Sequence, residues 1–359
     1  MLNKFIYSAT FFFGLGAVDA QESNDSLKSN LSISGYIETY FNYDFNKPDN
    51  HKRPSFIYSH NRSNEISVNL AMIKASYNAE RLRSNLALAT GSYMNANYTA
   101  EEAVWKNVFE ANIGYKLLEN HNLWIDAGIL PSHIGPESAI GLDNISLTRS
   151  LAAENSPYFE TGAKLSYTTK DGKLYIAALA LNGWQRIQLP NSNNGLSFGH
   201  QIQYKPIPAI LINSSSYFGD EGNDSLRFFH DLYLQVKLTD KLNILTNWDH
   251  GIQKQPLIFE NYHWWNLGFQ TNYALTSSLK LNARIEYFND NDGVIFGKFN
   301  DWGTNILGYS AGLDLDLYKG LIWRTEFKNL KSADNVFFSN NEIYKENSST
   351  LITSLGWRF

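Results

Sequence analysis

Charged side chains recur at alternate positions along several segments of the sequence, a spacing that suits a wetted surface better than a catalytic centre. In residues 278–288, for example, Lys280, Arg284 and Glu286 alternate with apolar residues. A β-strand sends successive side chains to opposite faces, so this segment has one charged face and one apolar face. The same alternation recurs at 227–238, 307–317 and 321–328. These charges are therefore expected to hydrate a shared surface.

No signature of a catalytic or metal centre accompanies the charges. The chain has no cysteine, which excludes thiol catalysis, disulfides and cysteine-ligated zinc. No H-E-x-x-H motif occurs, and His200, His230, His250 and His263 do not pair at metal-ligand spacing on one strand face. We interpret these histidines as surface or membrane-interface residues and predict no enzyme, no cofactor and no metal. A surface hydrolase remains the enzymatic alternative.

The alternation extends over nearly the whole chain and predicts an all-β protein. Its apolar register slips near Ala71, as a β-bulge would cause. The sixteen candidate strands lie near 31–45, 65–77, 82–93, 108–116, 123–130, 158–167, 173–182, 196–204, 209–218, 226–238, 242–251, 262–273, 278–288, 304–317, 321–329 and 349–359.

The connections between these strands alternate in length. Every second junction is short, whereas most of the others are long and polar, such as 46–64, 131–157 and 330–348. A transmembrane up-and-down antiparallel β-barrel has tight turns at one rim and long loops at the other. We therefore predict one barrel of about sixteen strands over residues 31–359, with periplasmic turns and outer loops.

The first residues read as an export signal. Residues 1–20 combine a lysine, an apolar run and a small-x-small cleavage site, and residues 21–30 form a short polar segment. Together with the barrel pattern, this signal predicts an exported protein of an outer membrane.

Composition agrees with a membrane barrel. Charged residues make up 18% and aromatic residues 14% of the chain, and a net charge of −5 gives no reason to expect a nucleic-acid partner. Trp323 and Trp357 are candidates for an interfacial aromatic girdle. The last strand ends on Phe359, which resembles the closing strand that barrel-assembly machinery reads.

Two groups of residues are candidates for a water-filled interior. The longest loop, 131–157, is expected to fold inward and narrow the barrel, although an external lid or adhesive loop is the alternative. Its constriction candidates are His133, Glu137, Asp143, Arg149 and Glu154. The pore-lining candidates on the strands are Glu38, Arg83, Asp126, Lys164, Arg227, Asp231, Lys280, Arg284, Glu286, Asp314, Asp316, Arg324 and Glu326. A lumen plugged by pairing of these charges is the alternative to an open one.

Three motifs carry a family resemblance. Residues 147–162 (LTRSLAAENSPYFETG), 35–40 (GYIETY) and 95–102 (NANYTAEE) resemble signatures of the putative β-barrel porin family of Gram-negative envelopes. The resemblance implies an outer-membrane porin and transfers no substrate. We predict passive diffusion of small hydrophilic solutes, with the lipid bilayer and the assembly machinery as partners and a homotrimer as the usual assembly. An adhesin or structural barrel is the other alternative.

Overall fold

The computed structural model describes residues 30–193, 195–255, 260–299, 302–340 and 343–359. The predicted export signal, 1–20, and all but the last residue of the segment 21–30 lie outside the described residues. Within the described part of the chain, no helix is long and apolar enough to cross a membrane.

Sixteen antiparallel strands close into one barrel, as the alternation predicted. Fifteen of them are numbered first: β1 Leu31–Asp44, β2 Ile66–Asn78, β3 Leu82–Thr90, β4 Val108–Lys116, β5 Asn122–Pro131, β6 Phe159–Thr168, β7 Leu174–Leu181, β8 Ser197–Tyr204, β9 Ile210–Asp220, β10 Leu226–Lys237, β11 Leu242–Gln255, β12 Glu260–Ala274, β13 Leu279–Asp290, β14 Thr304–Tyr318 and β15 Leu321–Ser332. The sixteenth, β18 Asn347–Arg358, pairs with β15 and with β1 and so closes the barrel.

The remaining elements lie in the connections. The short strands β16 Phe337–Phe338 and β17 Tyr344–Lys345 form a hairpin before β18. In the connections that the structure describes, two short helices span Ser92–Asn97 and Leu151–Glu154, and two 3-10 turns span Ala103–Asn107 and Gly141–Asp143. We call the rim with the short connections the turn end and the rim with the long connections the loop end.

Because side chains alternate, each strand has an apolar face on the outside of the barrel and a second face toward the interior. On β13, outward-facing Leu281 is 42% exposed and Ile285 is 55% exposed, whereas inward-facing Arg284 is 3% exposed. Apolar groups on the outside and charged groups on the inside reverse the arrangement of a soluble β-sandwich. The barrel therefore presents an apolar belt to its surroundings.

The carboxy-terminal aromatic residues help to close the barrel. The Trp357 and Phe359 rings lie 4.9 Å apart between centroids, and the Phe359 amide donates to the Gly35 carbonyl. A Cβ added at Gly35 would lie 2.3 Å from the Phe359 ring, so glycine leaves the room that this ring occupies. Trp323, one strand away, donates from its indole to the Thr353 hydroxyl at 2.7 Å.

A β-bulge interrupts β2 close to where the sequence predicted one. Thr39 pairs with Val68 and Glu38 with Leu70, which leaves Asn69 as the extra residue, two positions before Ala71. The bulge turns the Asn69 amide into the interior, where it donates to Glu38 at 2.8 Å.

Candidate functional site

The connection between β5 and β6, which we call the inward loop (residues 132–158), crosses the barrel interior. Its Arg149 is 0% exposed, although it lies in a loop of a membrane-type barrel. The loop makes its hydrogen bonds with inward-facing side chains of β8, β9, β12, β13 and β15. The sequence-based prediction that this connection folds inward agrees with these contacts.

Thr148 fastens the middle of the inward loop to the wall. Its amide and hydroxyl donate to the Glu326 carboxylate at 2.7 and 2.8 Å. The Arg284 guanidinium donates to the Thr148 carbonyl at 2.7 Å and also pairs with Glu326 at 3.2 Å. All three side chains are buried. Charge-assisted hydrogen bonds of this kind are about twice as strong as neutral ones, so this contact holds the loop firmly.

A second group of charges extends the attachment. Glu286 accepts the Leu151 amide, and Lys328 donates to the Arg149 carbonyl at 2.9 Å. Lys328 also pairs with Glu286 at 3.0 Å. Buried charges are tolerated only when they are paired and hydrogen-bonded. This network meets that condition by using backbone groups of the loop as partners.

Arg324 holds the tip of the inward loop. Its guanidinium donates to the carbonyls of Gly141 and Ile145 at 2.8 and 2.9 Å, and to the Asn144 carbonyl at 3.3 Å. Asp314 accepts from the same guanidinium at 2.7 and 2.9 Å. The planar fork of arginine suits this simultaneous recognition of a carboxylate and several carbonyls.

His133 fastens the first part of the loop. Its Nδ1 lies 2.7 Å from Glu160 and its Nε2 lies 2.9 Å from the Ser216 carbonyl. Burial alone would lower the pKa of His133, but the adjacent Glu160 carboxylate and the Ser216 carbonyl raise it above its ordinary value. A protonated imidazole can donate to both of these acceptors at once.

Two further loop residues are also engaged in anchoring. Glu154 accepts the amides of Tyr58 and Ser59 at 2.8 and 3.1 Å and so joins the inward loop to the connection between β1 and β2. Burial raises the pKa of Glu154. Arg149 donates to the carbonyls of Leu147 and Ala139. Burial lowers the pKa of Arg149, but nearby Tyr158 and Glu38 leave it raised overall.

Three other pore-lining candidates form contacts with neighbouring side chains elsewhere in the barrel interior. Glu38 is fully buried against His60 at 3.2 Å. Asp231 accepts from Asn213 at 2.9 Å. Arg227 donates to Gln253 at 2.7 Å, and its guanidinium lies 5.0 Å from the Trp184 ring centroid.

The side of the interior opposite β12–β15 is open toward the turn end, whereas buried apolar residues such as Phe159 fill it toward the loop end. A cavity of about 500 Å³ lies against β3–β7. Arg83 is 32% exposed there, binds Asp126 through Nε at 2.6 Å, and lies near half-buried Lys164. We call this space the β3–β7 cavity.

A second cavity of about 290 Å³ separates the inward loop from β2 and β4. Lys74 and Glu110 form an ion pair on its wall side, and Ser132 and Glu137 line its loop side. Glu110 and Pro131 also line the β3–β7 cavity, so the two spaces adjoin. A third cavity of about 260 Å³, toward the turn end, is lined by Asp143, Lys280, Asp314, Asp316 and Arg324.

An apolar cluster fills the interior toward the loop end. Inward-facing Phe229, Trp264 and Phe288 are each 1% exposed, and residues of the long connections such as Phe56 and Phe337 pack against the same cluster. Apolar side chains at interior positions depart from the polar lining of a wide aqueous barrel. This part of the lumen is closed in the structure.

The predicted constriction residues thus fall into two groups. Glu137 and Asp143 line cavities, whereas His133, Arg149 and Glu154 are buried as anchors of the inward loop. That these five residues limit passage stays a prediction.

Sequence reasoning missed Lys74 and Glu110. The pairing of β3 with β4 is also irregular, with Ala87 opposite Glu110 and Leu88 opposite Val108. Because of these irregular pairings in β2 and β4, apolar residues do not keep to one face along the whole strand. The alternation in the sequence therefore did not show that Lys74 and Glu110 face the interior. Counting inward from the short turn after Asn78 would have placed Lys74 on the interior face, because the alternation is regular there.

The four strand histidines lie on the outer face of the barrel. Rings of His200 and His230 are 6.3 Å apart between centroids, and those of His250 and His263 are 5.7 Å apart. The topology therefore places next to each other residues that are far apart in sequence. Among the residues that the structure describes, no group of three His, Asp or Glu side chains could hold a metal.

One pattern typical of serine hydrolases, G-x-S-x-G, occurs at residues 195–199. The nucleophile elbow of those enzymes is a sharp turn from a strand to a helix. Here Ser197 begins strand β8, and its hydroxyl shares a 2.7 Å hydrogen bond with the Tyr217 hydroxyl. The local structure therefore differs from a nucleophile elbow.

Comparison with known proteins places the fold. The family described as "Putative beta-barrel porin-2, OmpL-like" matches residues 30–359. No curated protein matches the sequence.

Similar solved structures include several outer-membrane proteins. The anion-selective porin of Comamonas acidovorans is 8% identical with a TM-score of 0.59, covering 92% of this chain and 99% of that one. The outer-membrane channel DcaP of Acinetobacter baumannii is 10% identical with a TM-score of 0.61, and the match covers 92% of this chain and 97% of that one. OmpT of Vibrio cholerae, in trimer form, is 8% identical with a TM-score of 0.58, covering 92% and 99%. At such low identity these likenesses show a shared fold.

Proposed function

This chain belongs to the family of beta-barrel porin-2, OmpL-like proteins, and from that premise we propose a path for its solutes. The protein is an outer-membrane porin. We propose that small hydrophilic solutes diffuse passively along one side of its interior, between the inward loop and strands β2–β7.

The observation that carries this proposal is the asymmetry of the interior. The inward loop is fastened to β13 and β15 by buried charged side chains, and the cavity of about 260 Å³ that remains on that side lies toward the turn end. The two adjoining cavities lie on the β2–β7 side. Solutes that enter the barrel would therefore pass beside the loop rather than through the middle.

The wall of this path carries charges of both signs. Lys74 pairs with Glu110 and Arg83 with Asp126, so the basic and acidic groups nearly balance. Rings or walls of one sign select ions strongly, whereas a balanced wall does so weakly. We expect weak ion selectivity. Glu137, on the facing loop, is the constriction candidate that lines the same cavity as the Lys74–Glu110 pair.

Single-cysteine variants can test the path, because the natural chain has no cysteine. Ser132→Cys and Thr168→Cys each place a thiol beside one of the two adjoining cavities. Channels of either refolded variant are recorded in planar bilayers before and after a cationic methanethiosulfonate is added. We expect a stepwise loss of current, since the attached group narrows the path.

Ser354→Cys is the matched control. Ser354 also faces the interior, but it is 3% exposed and lies on β18, where the inward loop packs. Its current should not change on labelling. Block at Ser354→Cys with none at the two path positions would contradict the proposed route, and a folded barrel without channels would contradict diffusion itself.

We further propose that the chain has no catalytic activity. Among the described residues, a serine and a histidine lie together on the outer face, where the Ser216 hydroxyl is 2.6 Å from His200 Nδ1. A serine nucleophile needs a base that a third group orients and donors that stabilise an oxyanion. Ester hydrolysis by the natural protein that disappears in Ser216→Ala would overturn this proposal.

Export, assembly and oligomeric state complete the proposal. Residues 1–20 direct export, Phe359 is read by the barrel-assembly machinery, and the folded chain forms a homotrimer. Deleting Phe359 should lower the fraction of heat-modifiable barrel in isolated outer membranes. Native mass spectrometry of the detergent-extracted protein measures the subunit number, and a monomer would contradict the trimer.

A further inference from the structure

We infer that the β3–β7 cavity binds a neutral sugar ring as its solute passes. This inference rests on the proposed path along β2–β7 and names the solute class for it. The cavity volume, about 500 Å³, falls within the range of roughly 300–1,000 Å³ typical of small-molecule sites.

Two aromatic side chains border the cavity on strands that flank β6. Trp124 of β5 is opposite Ser166, and Tyr175 of β7 is opposite Thr168. Strands two positions apart are separated by about 10 Å, so one sugar ring is large enough to contact both side chains across β6. An aromatic face carries negative charge density and attracts the weakly positive C–H groups of a sugar ring.

The floor between the aromatic residues is polar but uncharged. Ser166 and Thr168 supply hydroxyl groups, and Asn122 supplies an amide at the turn-end rim. Hydroxyl and amide side chains both donate and accept hydrogen bonds, as sugar hydroxyls do. A site of this composition matches a solute that presents many hydroxyl groups around an apolar ring.

The charged groups of the cavity cancel one another. Its lining contains two basic residues, Arg83 and Lys164, and two acidic ones, Glu110 and Asp126. Asp126 holds the Arg83 guanidinium, which lies 4.3 Å from the Trp124 ring centroid and fixes that ring from one side. A lining without net charge favours neither anions nor cations, so the inference selects a neutral sugar over a charged solute.

Ion current through single channels tests this inference on the full mature chain. Glucose, maltose and maltotriose are added in turn to one side of the bilayer, together with polyethylene glycols of matched hydrodynamic size in parallel runs. We expect saturable partial block by the sugars and only a weak, non-saturating effect of the polymers. Trp124→Leu and Tyr175→Leu should each raise the half-blocking sugar concentration about threefold to tenfold.

Trp248→Leu is the matched control, since Trp248 lies on the outward face and is 41% exposed. It should leave the half-blocking concentration unchanged. Trp124→Phe keeps an aromatic face and should retain most of the block. The sugar inference would be overturned, while channels still conduct, if Trp124→Leu and Tyr175→Leu kept the half-blocking sugar concentration of the natural protein. Stronger block by glutamine or gluconate than by sugars would also overturn it. Absence of channels would instead overturn the proposed path.

Discussion

Replacing Arg324 by alanine tests whether the tip of the inward loop is held by a single guanidinium. The substitution removes hydrogen bonds to the carbonyls of Gly141, Asn144 and Ile145 and takes from Asp314 its cationic partner. The Asn282 amide remains as a hydrogen-bond donor to Asp314. Hydrogen bonds to a charged group contribute about 1.5–3 kcal/mol each, and removing one member of a buried ion pair costs about 3–5 kcal/mol. The released carbonyls can form hydrogen bonds with water, which offsets part of the cost. We therefore expect the free energy of unfolding to fall by about 3–5 kcal/mol in total.

The loss would be measured by urea unfolding of the refolded barrel in detergent, followed by tryptophan fluorescence. Arg324→Lys keeps the charge without the planar fork and should cost less than Arg324→Ala. Single-channel current should also become larger and noisier, because the freed tip borders the turn-end cavity.

Arg358→Ala provides a matched comparison at the same loop tip. Arg358 binds Asp143 at 2.6 Å, but both side chains are more than a third exposed. Exposed ion pairs contribute at most about 1 kcal/mol, so this variant should be nearly as stable as the natural protein. Equal effects of the two alanine variants, or a loss below about 1 kcal/mol for Arg324→Ala, would refute the reasoning.

Three further predictions concern the outer face, the loop anchor and the path. Leu313→Arg, on the outward face of β14, should cost about 2–4 kcal/mol in a urea titration, whereas Leu313→Ile should cost far less. The raised pKa of His133 beside Glu160 means that protonation stabilises the fold fully below the ordinary value of 6.5, and that this contribution is lost as pH rises through the raised pKa. The urea midpoint should therefore fall as the pH is raised above the ordinary value of 6.5, and His133→Gln should remove that part of the pH dependence. Glu110→Lys should shift the reversal potential in a salt gradient toward anion selectivity, and an unchanged potential would place Glu110 outside the conducting path.

The strands were predictable because each carries its own alternation. Inward-facing Arg284 next to outward-facing Ile285 shows the two-residue period of a strand. The alternation of short and long loops is typical of antiparallel strands in an up-and-down barrel. Neither signal needs contacts between distant segments. The strand pattern, the barrel and the bulge near Ala71 therefore followed from local sequence.

The interior contacts could not be obtained in the same way. Thr148 and Glu326 are 178 positions apart, and nothing near either residue specifies the other. An arginine of a loop looks the same in sequence whether it faces solvent or, like Arg149, is buried against carbonyls. The charged residues and the length of the connection were enough to identify the inward loop from the sequence. Which of its residues anchor it and which line a cavity depends on three-dimensional packing.

The unequal interior has a consequence for how such a protein can change over generations. Residues that hold the inward loop, such as Arg284 and Glu326, are coupled to buried partners, so most replacements there should be selected against. Residues of the opposite wall, such as Thr168 and Tyr175, border open space and can vary at little cost to stability. Preference for solutes can therefore diversify among descendants on one half of the barrel, while the other half preserves the architecture.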